Sequence, residues 1–383
     1  MATTQLRTLQ MGNDWFGERQ GGLNRVYSEL LMHLPDVGVQ VQGLVVGSER
    51  VAQATGGVIT SFALAKAPLP SRLYHGRQAA LRILREQKPD MIVSHFALYT
   101  FAFADHLRST PTVVHFQGPW AAEAGVEGQS SLAFKMQSFI ERTVYQRASR
   151  IIVLSHAFQE ELVRRYGIAE EIVRVVPAGV DLDVFNDSLT RVQARERLGW
   201  PTDRPIILAV RRQVRRMGLE NLVEATLEIR KRVPEVLVLL GGTGPLMAEL
   251  RERIEVAGLQ KSVRQLGRIE DADLPIAYRA ADLTVVPTQA LEGFGMITLE
   301  SLASGTPVLV TPVGGLPEVV RPFAPECVFD GTTTPTMAET IGDFLTGVRT
   351  LPSSDACRRY AVTNYSWPVI AKRVKQVYVQ GLA

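Results

Sequence analysis

The chain has 383 residues, too many for one compact core, so two to three domains are expected. Hydrophobic residues make up 46% and charged residues 21%, the profile of an ordered globular protein; a net charge of +3, from 42 basic and 39 acidic side chains, gives no general basis for nucleic-acid binding. With only Cys327 and Cys357, a disulfide framework is not expected and a reducing cytoplasm is the default.

The N-terminus, MATTQLRTLQ, lacks the basic start and apolar stretch of a signal peptide. Apolar runs such as IILAV (206–210) and VLVLL (236–240) are far shorter than the roughly 18 residues of a membrane helix. They fit buried parallel strands, and any membrane association would be peripheral, at the inner face.

Short apolar runs alternate with amphipathic stretches, the mark of βαβ units. In the first half the strands are predicted at 6–12, 39–47, 91–96, 112–116, 150–155 and 173–179, with helices at 23–34 and 132–148 between them. Gly21 and Gly22 sit between the first strand and the first helix. They make half of a dinucleotide fingerprint without its G-x-G-x-x-G spacing, so a loop admitting a ligand from the opposite domain is the better reading. The segment 71–88 carries Arg72, Arg77, Arg82, Arg85 and Lys88 against Glu86, with Leu73, Leu81 and Leu84 facing either a core or an anionic bilayer. His115 ends TVVHF before the turn-prone QGPW and is expected to point into a cleft; a structural histidine is the alternative, and His95 is its competitor.

GVDLDVFNDSLTR is polar and aperiodic, which places a linker near 180–190. The pattern then restarts, with strands predicted at 205–210, 236–241, 263–267, 282–287, 307–311 and 327–330. Two doubly wound sheets in tandem imply a cleft with ligands at the strands' carboxyl ends. AVRRQVRRMGLENL puts Arg211, Arg212, Arg215 and Arg216 between a strand and a helix, where a diphosphate would sit. LEGFGMITLESLASGTPV places Glu292, Gly293 and Gly295 in a loop before a helix running to about Ser304. Its glycines admit close backbone approach and its helix start suits a phosphate. Glu300, about two turns along, can accept ribose hydroxyls. An ordinary strand–loop–helix with surface glutamates is the plain alternative. Neither metal-ligand spacing, nor a G-x-S-x-G elbow, nor a Walker-A loop occurs. YSWPVIAKRVKQVYVQGL reads as a terminal amphipathic helix.

As a set these segments resemble the retaining GT-B glycosyltransferases of the large family four. GGLNRVYSELLMHL, VVHFQGPW, VLSHAFQEEL and VVPAGVDLDVF carry the resemblance in the first half. GGTGPLMAEL, LGRIEDADLPIAYRAADLTVVPT and EGFGMITLESLASGTPVLVTPVGGLPEVV carry it in the second, including paired glutamates with seven residues between them, Glu292 and Glu300. It implies an α/β fold of two Rossmann-like domains around a cleft: 1–184, completed by a helix at 366–383, and a donor-binding domain at 185–365.

By resemblance, His115, Arg212 and Glu292 are catalytic, with His115 near the donor sugar's C6 hydroxyl. Gly21 and Gly22 lie against the diphosphate and sugar, and Arg212 binds the diphosphate. Glu292 holds the sugar with the amides of Gly293, Phe294 and Gly295. Met296, Ile297 and Thr298 open the phosphate-binding helix, Glu300 binds ribose, and Arg268 and Ile269 meet the base. The family's lysine, five residues after its arginine, is here Met217, before Gly218; Arg216, Arg211 or Arg215 can supply the charge. PAGVD also stands where PNGVD is usual.

The resemblance implies metal-independent transfer without a cofactor, from a nucleotide sugar to a glycan or lipid-linked acceptor. UDP-glucose, the family's commonest donor, is the base-rate expectation. A front-face mechanism is expected, in which the departing phosphate takes the acceptor's proton and domain closure excludes water. A nucleotide-sugar epimerase and a non-catalytic nucleotide-sugar binder are the competing classes.

Overall fold

The computed structural model describes residues 5–19, 21–121, 130–185 and 188–382. The chain forms two compact units, Met1–Gly179 with Trp367–Ala383, and Val180–Ser366.

In the first unit, β1 (Leu6–Asp14), α1 (Gly22–His33), β2 (Val39–Val46), α2 (Arg50–Ala54), β3 (Ile59–Ala63), α3 (Leu69–Glu86), β4 (Met91–Ser94) and α4 (Ala97–Phe101) are followed by β5 (Thr112–Phe116), α5 (Ser131–Tyr145), β6 (Arg150–Val153), α6 (His156–Tyr166) and β7 (Val173–Val175). The strands form a parallel sheet in the order β3-β2-β1-β4-β5-β6-β7. Every residue of β4 and β5 is buried, as expected where helices cover both faces. The edge strand β3, ITSFA, was not expected from the sequence. Only its first residue is fully buried, so it lacks the apolar run that marks the inner strands.

The second unit comprises α7 (Arg191–Leu198), β8 (Ile206–Val210), α8 (Leu219–Arg232), β9 (Leu237–Gly241), α9 (Met247–Val256), β10 (Val263–Gly267), α10 (Leu274–Ala280), β11 (Leu283–Val286), α11 (Met296–Ala303), β12 (Val308–Val310), α12 (Leu316–Val320), α13 (Thr334–Leu345) and α14 (Ser354–Tyr365). Its parallel sheet has the order β10-β9-β8-β11-β12. The strand predicted at 327–330 does not form. Pro325–Cys327 makes a 3-10 turn and Val328 contributes one isolated bridge to Val310.

A final helix, α15 (Trp367–Gly381), belongs to the first unit. It buries Val374, Val377 and Tyr378, while Lys375 Nζ caps the Val37 carbonyl at 2.6 Å. The unit boundary falls at Gly179/Val180 rather than at 184/185. Val180 bridges Ser366 and donates to the Tyr365 carbonyl, and Phe185 packs on Tyr278, so this segment is structured with the second unit. The polar helix α7 is held there by Arg195, whose guanidinium donates to the Ala280, Thr202 and Arg204 carbonyls and to Asp282.

Candidate donor site

In the second unit the connections diverge between β8 and β11: β8 leads to β9 on one side, β11 to β12 on the other. Ligands of such sheets lie beyond the carboxyl ends at that point. Arg211 and Arg212 follow β8 directly, and residues 287–295 follow β11.

Glu292 is fixed from two directions. Its carbonyl accepts from Gly315 N at 3.0 Å. Its carboxylate accepts from Arg211 Nη2, which also donates to Thr288 Oγ1 at 2.7 Å. Gly314 has φ 56, and a Cβ there would lie 1.8 Å from the Glu292 carbonyl oxygen, so no other residue fits. Leu291 has φ 53, sparsely populated for a leucine, and its carbonyl is held by Arg216 Nη1 at 2.8 Å.

Gly293, Phe294 and Gly295 are buried, with Phe294 against Tyr365. Gly295, at φ 76, is the N-cap of α11 and supplies no capping side chain to the amides of Met296 and Ile297. Thr298, in the same turn, is fully buried, and its Oγ1 has no hydrogen-bond partner among the described residues. The helix start therefore combines a positive dipole end, uncapped by a side chain, with an unused hydroxyl. Glu300 is the fifth helix residue, one turn in rather than two. It is 5% exposed and accepts from Tyr278 OH at 3.0 Å.

Arg212 is exposed at the end of β8, and Met217 is buried. Arg268 follows β10 and faces Glu270 at 3.7 Å. Ile269 packs over the end of β9, where a Cβ on Gly241 would meet its Cδ1 at 2.6 Å. Sequence reasoning passed over Gln213. It is fully buried, donates to the Gly242 carbonyl and accepts from Gln265, tying together the loops after β8, β9 and β10.

The first unit treats its predicted residues differently. Gly21 caps and Gly22 opens α1. His115, expected to point into a cleft or to serve as a structural histidine, is 5% exposed, hydrogen-bonded to Tyr378 OH at 2.9 Å and stacked on His95 at 4.2 Å. α15 supplies that hydroxyl and encloses the ring. Burial pushes His115 down to about 3, so it stays neutral near pH 7. His95 Nε2 donates to Gln10 Oε1 at 2.8 Å. Burial and His115 also depress its basicity.

The sheet of this unit diverges between β1 and β4. There Asp14, 3% exposed, accepts from Arg19 and Asn13 on Oδ2, while Oδ1 has no partner among the described residues. Arg72 donates to Tyr99 OH at 3.0 Å nearby. Of this cluster the sequence reading named Arg72 alone, in the basic segment 71–88; Asp14, closing the first strand before the glycine loop, was missed. In the basic segment 71–88, Leu73, Leu81 and Leu84 pack, partly buried, against the core, the first of the two readings given for them. Arg77 there pairs with Asp105, holding that carboxyl down at about 2.

Among the described residues no helix is long and apolar enough to cross a membrane.

Two family models match: Glycosyltransferase Family 4 over residues 20–184 and Glycosyl transferases group 1 over residues 191–362. A D-inositol 3-phosphate glycosyltransferase of Xylanimonas cellulosilytica is 33% identical over 63% of this chain and 59% of its own length. A GDP-mannose-dependent alpha-(1-6)-phosphatidylinositol monomannoside mannosyltransferase of Mycolicibacterium smegmatis is 31% identical over 53% of this chain and 55% of its own. The chain thus spans between half and two thirds of the length of these curated relatives. The crystal structure of Anabaena HepE with UDP-glucose aligns with TM-score 0.76 over 98% of this chain and 99% of that one, at 18% identity, which shows a shared fold. With both halves matched and the GT-B architecture in place, the chain belongs to the group 1 glycosyltransferases of family four.

Proposed function

We propose that this protein is a retaining hexosyltransferase that moves a sugar from a nucleoside diphosphate to a hydroxyl of a phosphate-bearing polyol. The observation that carries the reading is the start of α11, where no side chain caps the helix, beside the fixed carboxylate of Glu292. A diphosphate suits the dipole end and a hexose suits the carboxylate.

The transfer breaks the bond from the anomeric carbon to the diphosphate oxygen and makes one to the acceptor oxygen. The acceptor's proton passes to the departing phosphate. Negative charge grows on the leaving group, and Arg212 with the α11 amides stabilises it. Removing one preorganised group of this kind typically costs about 3–4 kcal/mol in the transition state. No resident metal is needed for that stabilisation, so EDTA should leave turnover intact.

For the donor, UDP-glucose remains the first candidate and GDP-mannose the second, since one relative is named for dependence on it. For the acceptor, both relatives are named for inositol compounds bearing phosphate. The cluster of Asp14, Arg19 and Arg72 in the first unit offers a carboxylate for hydroxyls and guanidiniums for a phosphate.

A thermal-shift screen with UDP, GDP, ADP and their sugars tests the donor; ligand at 100 times its Kd should add about 2.7 kcal/mol of stability. Transfer to inositol 3-phosphate and to inositol is then compared, with the product's anomeric configuration read by NMR. Stabilisation by none of the nucleotides would sink the reading. Conversion of donor to its own epimer without acceptor would replace transfer with epimerisation.

A further inference from the structure

Four arginines follow β8, and the fold sends them in different directions. Arg215 pairs with Glu249 at 2.8 Å and approaches Glu220. Arg216 holds the Leu291 carbonyl, which makes it a latch on the loop. Arg212 is exposed at the strand end. Arg211 turns inward: its side chain is 7% exposed, and its Nη2 meets both Thr288 and the Glu292 carboxylate, itself 13% exposed.

This pair is incompletely satisfied. Arg211 Nε is buried without a partner among the described residues. Desolvating two charges costs several kcal/mol per ion, and their attraction offsets it only when the remaining donors and acceptors are used. Glu292 is also the carboxylate that a donor sugar needs. A nucleotide sugar would bring hydroxyl donors for Glu292 and anionic oxygens for a guanidinium, which is the complement of what the pair holds in reserve.

We propose that Arg211 is a second diphosphate-binding cation, paired here with Glu292 and handed to the donor's phosphates when sugar hydroxyls take over the carboxylate. It would stand in for the charge absent at Met217, which is apolar and 6% exposed. The proposal rests on the nucleotide-sugar reading of this site and adds a partner exchange to it.

Calorimetric titration tests it, with UDP or GDP (whichever stabilises the wild type in the screen) and with the matching nucleotide sugar. R211G should weaken the nucleotide sugar at least tenfold, and R211G/M217K should regain most of that. The nucleoside diphosphate alone supplies no hydroxyls to Glu292, so freeing Arg211 should help it: E292Q should bind the diphosphate several-fold tighter than wild type, and E292Q/R211G should not. R211Q repeats the measurement with a side chain of similar reach should the glycine variant not fold. A brace with no ligand role would lower Tm in R211G or R211Q and leave both affinities within twofold, which would overturn the proposal, as would E292Q binding the diphosphate no more tightly. Failure of the wild type to bind any nucleotide would instead defeat the underlying reading.

Discussion

His115 and Glu292 both belong to the carboxyl edge of a parallel sheet, yet one is closed off and the other is held ready. His115 shares its layer with α15, whose Tyr378, 263 positions away, takes its Nε2. Glu292 lies past the strand in a loop whose turns are set by glycines and by Arg216. A strand-end residue inside the pleat can be covered by any helix that packs on that face. One carried by a loop beyond the strand is spared that cover, and its orientation must be fixed by strain or ion pairs. His115 is thus fixed by packing of the unit, and Glu292 by an ion pair and by its own loop.

The sharpest way to break this contrast is to exchange the expected phenotypes. Glu292→Gln and Arg212→Ala should each lower turnover by about a hundredfold to a thousandfold, the scale of one lost electrostatic stabiliser. Their Tm should stay close to wild type, since Arg211 freed by the neutral glutamine keeps its bond to Thr288 and Arg212 is exposed. Near-normal turnover of either purified variant would remove that residue from the site.

The enclosed histidine predicts the reverse. His115→Phe should cost about 0.5–1.5 kcal/mol, because the Tyr378 hydroxyl loses the shorter of its two hydrogen bonds and keeps the one to Gln10, while donor affinity holds within twofold. Its pH signature is specific. The unfolded chain protonates this histidine near 6.5, the folded one only near 3. Between those values the unfolded state binds more protons, so the stabilisation is fully present above 6.5 and is lost as pH falls toward 3. The loss approaches about 1.4 kcal/mol per pH unit. Urea unfolding from pH 7 to 4 should show a flatter slope in His115→Phe than in wild type, and equal slopes would mean that His115 is not held neutral.

Legibility in the sequence follows the same division. The inner strands were visible because each is a local apolar run, and Glu292 with Glu300 because both charges sit within a single loop and helix. Edge strand β3 was hidden by its half-polar sequence, and CVFD looked like a strand because its apolar residues are buried with only one bridge to the sheet. The compact units divide five residues before 184/185 because 180–185 is polar in sequence but anchored by Phe185. What stayed invisible depended on partners far along the chain: Tyr378 for His115, and Glu292, 81 positions on, for Arg211.

Within the second unit the comparison can be sharpened by two neighbouring arginines. Arg216→Ala should raise donor KM by about fivefold to tenfold, for it releases the Leu291 carbonyl and so loosens Glu292; one such charge-assisted bond is worth about 1.5–3 kcal/mol, part of which relaxation recovers. Arg215→Ala breaks pairs at a side chain that is 69% exposed, worth at most about 1 kcal/mol, and should leave KM within twofold. Equal KM values for the two would mean that the latch on Leu291 does not reach the Glu292 carboxylate.

The smallest effect is expected at Leu291 itself, where two terms nearly cancel. A left-handed leucine costs about 1–2 kcal/mol, which glycine would remove. Glycine also gives the unfolded chain more freedom to lose, about 0.5–1 kcal/mol. Leu291→Gly should therefore change stability by no more than about 1.5 kcal/mol in chemical denaturation. Donor affinity is governed by a different quantity, the fraction of time the loop presents Glu292 to a ligand. A glycine at this position opens backbone wells closed to leucine, so the loop would spend less time in the conformation that the Arg216 bond requires. A fall in affinity at nearly unchanged stability would assign the strain to the site. A loss of stability above about 2 kcal/mol, with affinity intact, would assign it to packing of the Leu291 side chain.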